Sequence, residues 1–160
     1  MALYGYIPSV DFLSRKDAPM IEVYLNLNGN AKEAADYYAR VFEAGAPDIM
    51  YYSDMPKGEN AEMPKGSEGL VMHGAVNTFA GIIMLADNEP GVVITPNQGV
   101  WLTLSHKDLD RLRRVFDALA RDGEALMPLE PSFFSPLYGQ VKDKFGFYWH
   151  IMSWEEPEKG

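Results

Sequence analysis

The fold is decided by the stretch IEVYLNLN at residues 21–28, because its side chains alternate between two classes along the chain. Val23, Leu25 and Leu27 are apolar, whereas the residues between them are polar or amphipathic. A period of two predicts a β-strand with one face against a core. A glycine turn follows, and residues 31–42 then carry apolar side chains at helical spacing, which predicts a helix.

The same order of elements recurs in the second half of the chain. The strand start YLNL at residues 24–27 is matched by WLTL at residues 101–104, and VF at residues 41–42 is matched by VF at residues 115–116. Ser105 is expected to cap the second helix, because serine is favoured before a first helical turn. Further strands are predicted near residues 47–53, 70–78, 81–86, 125–133, 137–142 and 147–153.

These elements predict an α+β fold built from two βαβββ modules. Module one covers about residues 20–87 and module two about residues 98–154, with a linker at 88–97, all within one domain of residues 1–160. A duplicated unit of this kind can build one curved, cup-shaped mixed sheet with the helices outside. A cup predicts a small-molecule ligand. Residues 54–69 contain MPKG twice, and the sequence leaves open whether this loop is a lid or an insertion.

Composition excludes several classes of partner. The formal net charge is −9, which disfavours binding to nucleic acid. There is no cysteine, so disulfides and thiolate chemistry are excluded. The segment Met1–Met20 has neither the basic nor the apolar region of a signal peptide, and no stretch is long enough for a membrane span. The prediction is therefore a cytoplasmic protein that binds neither nucleic acid nor membrane.

Several short segments stand in a characteristic order along the chain: YLNLNGN at residues 24–30, EAA at 33–35, YY at 37–38, VMHGA at 71–75, MLAD at 84–87, FFSPLYG at 133–139 and DKFG at 143–146, with Trp149. Taken together, they resemble the vicinal oxygen chelate superfamily of glyoxalases, bleomycin-resistance proteins and extradiol dioxygenases. Within it the chain is similar to the PhnB-like, or demethylubiquinone-methyltransferase-like, branch. The resemblance implies two modules that form a cup, and a homodimer.

The resemblance also implies where a metal would bind. In relatives that use a metal, the ligands come from the first and last strand of each module. Of the matching positions here, only Glu22 and His150 carry ordinary ligand side chains. A stable divalent site usually needs three protein ligands, so the set is incomplete. No cofactor is certain, and a divalent metal is the one considered.

Candidate site residues lie on the first and last strands and on the aromatic segments. His150 is the candidate catalytic residue, because imidazole can act as a general base and shares its strand face with Tyr148. Glu22, Tyr24 and Asn26 share one face of the first strand. The other expected ligand-binding residues are His73 and a wall of aromatic side chains: Trp101, Phe133, Phe134, Tyr138, Tyr148 and Trp149.

Two function classes, and a third reading, remain open at this point. The first is a binding protein of the glyoxalase and bleomycin-resistance type that holds an apolar or aromatic ligand in the cup without turnover. The second is a metal-assisted lyase, isomerase or dioxygenase, with His150 and Glu22 as ligands. The third is a dimeric scaffold with no ligand. The sequence does not decide whether a reaction is catalysed.

Overall fold

The structure is a computed structural model that describes residues 22–55 and 63–154. By internal contacts the chain divides into two compact units that meet in sequence at Val93 and Ile94. The short segment Arg40–Glu43 belongs to the second unit. Residues 56–62 of the predicted lid or insertion lie outside the described residues, so that prediction is not tested.

Module one contains four strands and one α-helix. In its sheet the strand order is β1-β4-β3-β2, with β1 parallel to β4 and the other neighbours antiparallel. A single 3-10 turn, Tyr52–Asp54, follows the second strand. The elements are β1 (Val23–Leu27), α1 (Ala31–Val41), β2 (Asp48–Tyr51), β3 (Val71–Thr78) and β4 (Gly81–Asp87).

Module two repeats this topology. Its strand order is β5-β8-β7-β6, again with the first and last strands parallel. The elements are β5 (Leu102–Ser105), α2 (Leu109–Asp122), β6 (Glu124–Glu130), β7 (Tyr138–Lys142) and β8 (Tyr148–Met152). The α+β class and the two βαβββ modules are therefore confirmed. The single cup-shaped sheet stays a prediction.

Two glycines hold the same place in the two sheets. Gly74 lies opposite Leu85 of the last strand of module one, and Gly139 lies opposite Ile151 of module two. Leu85 also pairs with Leu25 of β1, and Ile151 also pairs with Leu104 of β5, so Leu25 and Leu104 are equivalent positions in the two modules. The match of residues 24–27 with 101–104 had instead aligned Leu25 with Leu102, two positions earlier. An even shift keeps each side chain on its predicted face.

The helix starts depend on carboxylates. The helix α2 is capped by Asp108, whose side chain accepts a hydrogen bond from the Arg111 amide at 3.0 Å, so the predicted Ser105 cap is wrong. In module one the buried Asp87 accepts from the amides of Ala31 and Val71, both at 2.9 Å. One carboxylate at the end of β4 thus ties the first turn of α1 to the start of β3.

Candidate functional site

Module two presents a polar and aromatic sheet face. In β7 and β8 the residues between Tyr138 and Lys142, and between Tyr148 and Met152, alternate between buried and half-buried side chains. The half-buried residues pair across the strands, Gln140 with His150, and His150 pairs in turn with the exposed Thr103 of β5. We call this side of β5, β7 and β8 the aromatic face; its members are Trp101, Thr103, Ser105, Tyr138, Gln140, Lys142, Tyr148, His150 and Met152.

A row of rings crosses the aromatic face. The ring centroids of Trp101 and His150 are 4.6 Å apart with planes 26° from parallel, and those of Tyr138 and His150 are 5.7 Å apart at 24°. Tyr148 lies 5.0 Å from Trp101. The indole N–H of Trp101 donates to the Gln98 carbonyl at 3.0 Å, which orients its ring. The sequence predicted that three of these aromatic residues and His150 line a site, and the structure brings them together.

Hydrogen bonds fix the edge of this row. The Gln140 side-chain amide donates to the Tyr138 hydroxyl at 2.8 Å, and that hydroxyl lies 2.8 Å from Nδ1 of His150. The hydroxyl has one proton and an oxygen that can accept two hydrogen bonds, so whether it donates to Nδ1 or accepts from it depends on the tautomer of His150. The Nε2 atom of His150 makes no hydrogen bond with the described residues.

The protonation state of His150 agrees with this arrangement. Burial lowers the pKa of His150 below the ordinary histidine value, because the cation loses hydration. The neutral form of the ring is therefore favoured at pH 7, and its Nδ1 atom is engaged with the Tyr138 hydroxyl. The catalytic role predicted for His150 stays a prediction.

The predicted residues Phe133 and Phe134 extend the aromatic row beyond β7. Phe134 packs edge-on against Tyr138, with centroids 5.0 Å apart at 67°, and Phe133 packs on Phe134 at the same distance. Phe133 is 93% exposed. The turn that holds them is closed by the Ser132 amide, which donates to the Ser135 carbonyl at 2.9 Å.

In module one the predicted residues form a smaller polar group. The Tyr24 hydroxyl lies 3.3 Å from Nδ1 of His73, and Asn26 is exposed on the same side of β1. Burial lowers the pKa of His73. One carboxylate oxygen of Glu22 and Nε2 of His73 are buried without a hydrogen-bond partner among the described residues. The structure thus pairs Tyr24 with His73, whereas that Glu22 oxygen has no hydrogen-bond partner within residues 22–55 and 63–154.

One predicted wall residue lies on the other face. Trp149 is buried, and its indole N–H donates to the Asp143 carboxylate at 2.8 Å, so its place in the wall is a wrong prediction. Trp149 follows Tyr148 directly, and neighbouring residues of a strand point to opposite faces. Conversely, sequence reasoning missed Gln140 and Lys142, although their spacing from Tyr138 by two and four residues was the available signal.

The described residues do not fit the metal set that the resemblance implies. In residues 22–55 and 63–154, no group of three or more His, Cys, Asp or Glu side chains lies close enough to hold a metal ion. Glu22 belongs to the first compact unit and His150 to the second. The two predicted ligands therefore stay a prediction, and further ligands would have to come from elsewhere.

Comparison with known proteins places this geometry in a family. Residues 19–152 match the family described as 3-demethylubiquinone-9 3-methyltransferase. The Escherichia coli protein YjdN is 31% identical over 134 residues, which cover 80% of this chain and 90% of YjdN. No helix of the described residues is long and apolar enough to cross a membrane.

Solved structures of similar proteins superpose on most of this chain and share its fold. Protein PA1353 from Pseudomonas aeruginosa superposes with a TM-score of 0.71 at 26% identity, over 85% of this chain and 98% of that one. The PhnB protein from Bacillus cereus gives 0.57 at 28% identity, over 84% and 99%. A glyoxylase/bleomycin resistance protein/dioxygenase domain from Frankia gives 0.58 at 13% identity, over 89% and 95%, and at that identity shows the fold alone.

Proposed function

We propose that this chain, which belongs to the 3-demethylubiquinone-9 3-methyltransferase family, is a small-molecule-binding protein of the glyoxalase and bleomycin-resistance type. It would bind an apolar or aromatic ligand without turnover, against the aromatic face of module two and within the cup that the resemblance implies. The observation that carries the proposal is the row of nearly parallel rings of Trp101, His150 and Tyr138.

The ring geometry suits a planar aromatic ligand. Aromatic groups attract one another in offset-stacked or edge-on contacts at centroid distances of about 4.5–7 Å. The rings of Trp101, Tyr148 and His150 are all half-buried, so each keeps surface that a ligand can cover. Each stacking contact adds about 0.5–1.5 kcal/mol beyond the area it buries. Two or three such contacts add about 1–4 kcal/mol to the free energy that the buried apolar area supplies.

The face is also held in place before a ligand arrives. The hydroxyl of Tyr138 is fixed between Gln140 and His150, and the indole of Trp101 is fixed by the Gln98 carbonyl. Immobilising a mobile side chain on binding costs about 0.5–1.5 kcal/mol. Side chains that are already ordered avoid most of this cost. The hydrogen bonds therefore favour binding even though they do not touch the ligand.

Isothermal titration calorimetry with a neutral planar probe, 2-naphthamide, tests the proposal. Trp101→Leu should weaken binding about fivefold or more, because one stacking contact of about 1 kcal/mol is lost. Trp154→Leu is the matched control, because Trp154 is 61% exposed, lies outside the aromatic face and loses the same ring. Equal affinities of both variants and the wild type, or no heat of binding at all, would contradict the proposal.

A homodimer belongs to the same proposal, because the resemblance implies one. The exposed aromatic side chain of Phe133 is of the kind that interfaces bury. Light scattering during gel filtration should give twice the chain mass of 17.9 kDa. A mass equal to one chain at micromolar concentration would exclude a stable dimer.

A further inference from the structure

We infer that the ligand of the aromatic face is a neutral planar ring that carries a hydrogen-bond donor beside an acceptor, such as a lactam, and that the side-chain amide of Gln140 binds this edge. The inference rests on the proposed function, because it assigns a polar edge to the ligand that the same face would hold. It narrows the apolar or aromatic class to rings with an amide-like edge, and it makes Gln140 the residue that selects them.

The first observation is the unused hydrogen-bonding capacity of the Gln140 side chain. A primary amide has two N–H donors and a carbonyl oxygen that accepts. One N–H donates to the Tyr138 hydroxyl at 2.8 Å, and this is the only hydrogen bond of the side chain within the described residues. The carbonyl oxygen and the second N–H are therefore left for water or for a ligand.

The second observation is that the unused polar atoms of this face are open. The Gln140 carbonyl oxygen and Nε2 of His150 have no hydrogen-bond partner in the described part of the chain, yet neither atom is buried. Nε2 of His73 in module one differs, because it is both unpaired and buried. Solvent reaches the polar atoms of the aromatic face, so a ligand can replace that water.

The third observation is the position of Gln140 beside the stacked rings. It pairs in strand register with His150 of β8 on one side and with Met127 of β6 on the other. Residues opposed in an antiparallel pair have Cβ atoms about 4.5–5.5 Å apart. The amide is therefore next to the imidazole that stacks with Trp101. A ligand ring that covers His150 would direct one edge to Gln140.

The amide is also held in one orientation. It donates to the Tyr138 hydroxyl, and that hydroxyl is itself engaged with Nδ1 of His150 at 2.8 Å. Glutamine side chains bind planar rings with two hydrogen bonds where the ring carries a donor beside an acceptor, as in their pairing with adenine. A lactam offers the same pair of groups, since its N–H adjoins its carbonyl.

The fourth observation is that charge does not select the ligand. Lys142 of the aromatic face is opposed by Glu124 of β6, and Tyr138 is opposed by Glu130. Both signs of charge therefore flank the rings, and the face favours neither an anion nor a cation. Neutral hydrogen-bonding groups are left to discriminate between ligands.

Isothermal titration calorimetry with two probes of one ring system tests the inference. 2-Quinolone is a planar lactam, and 1-methyl-2-quinolone keeps its ring and carbonyl but has no N–H donor. 2-Quinolone should bind about threefold to tenfold tighter, which is the size expected of one neutral hydrogen bond. Gln140→Met keeps the length of the side chain but lacks the amide, so it should bring the two affinities to within about twofold of each other.

Asn77→Leu is the matched control, because it removes an exposed carboxamide from β3 of module one, outside the aromatic face. It should leave the ratio of the two affinities within about twofold of wild type, as expected of a surface substitution. In NMR spectra of the wild type, the side-chain N–H signals of Gln140 should shift more with 2-quinolone than with the methylated probe.

Three results would overturn the inference in different ways. A wild-type ratio retained in Gln140→Met, or unmoved Gln140 signals at saturating 2-quinolone, would overturn the role of Gln140. Equal or tighter binding of 1-methyl-2-quinolone to the wild type would overturn the amide-like edge and leave the proposed function standing. Binding of neither probe would overturn the proposed function as well.

Discussion

The hydroxyl group of Tyr138 should contribute measurably to the stability of module two. It takes part in two hydrogen bonds of 2.8 Å, one accepted from the Gln140 amide and one shared with Nδ1 of His150. Each intramolecular hydrogen bond contributes about 0.5–1.5 kcal/mol net. Because the site is half-buried, water replaces part of this in the variant, so Tyr138→Phe should lower the free energy of unfolding by about 1–2 kcal/mol.

For a chain of this length, 1 kcal/mol corresponds to about 2–4 °C in Tm. Tyr138→Phe should therefore melt about 2–8 °C below wild type by calorimetry or circular dichroism. Tyr148→Phe is the matched control, because it removes the same atom from the same face and its hydroxyl has no hydrogen-bond partner among the described residues. That variant should stay within about 0.5 kcal/mol of wild type.

A double-mutant cycle separates the His150 contact from a general effect of the hydroxyl. Tyr138→Phe and His150→Phe should couple by about 0.5–1.5 kcal/mol, since each removes one side of the same hydrogen bond. The reasoning is refuted if Tyr138→Phe is as stable as Tyr148→Phe. It is also refuted if the two substitutions in the cycle are additive within about 0.3 kcal/mol.

Three further predictions concern packing, capping and pH. In urea unfolding, Gly139→Ala should lower the free energy of unfolding by about 1–3 kcal/mol, because the added Cβ would lie 2.9 Å from a backbone atom of β6. Gly45→Ala is the control and should be near neutral, because its added Cβ meets nothing within 4 Å. Asp87→Ala should lose about 2–4 kcal/mol in the same assay, because two buried amides lose their acceptor; a loss below about 0.5 kcal/mol would contradict this role. Burial lowers the pKa of His73 and of His150, so on acidification the unfolded chain takes up protons at a higher pH than the folded chain does. The Tm should therefore fall as the pH drops below about 6.5, the ordinary histidine pKa. A Tm that does not change with pH in this range, in the wild type and in His73→Asn alike, would contradict this prediction.

Local pattern was sufficient to predict the elements. The alternation of Leu25 and Leu27 with polar neighbours fixed the faces of β1, and both leucines are buried. The second helix was foreseen from its apolar spacing, but its first residue was not. Ser105 and Asp108 are both good capping residues, and the choice between them depends on where β5 ends, which is set by its pairing with β8.

The candidate site was only partly predictable for the same reason. That Tyr148 and His150 share a face follows from their spacing of two residues. That Trp101 stacks on His150, and that Tyr138 bonds to it, depends on strand register, which involves residues far apart in sequence. Lys142 was missed because a lysine at a strand end is common, and its place beside Tyr148 depends on the pairing of β7 with β8.

The most direct test of the central claim is an NMR map of the isotope-labelled chain titrated with 2-naphthamide. If the aromatic face holds the ligand, the largest shift changes fall on the indole N–H of Trp101 and on the rings of Tyr148 and His150. Changes confined to other residues, with the signals of these three unmoved at saturating ligand, would contradict the account.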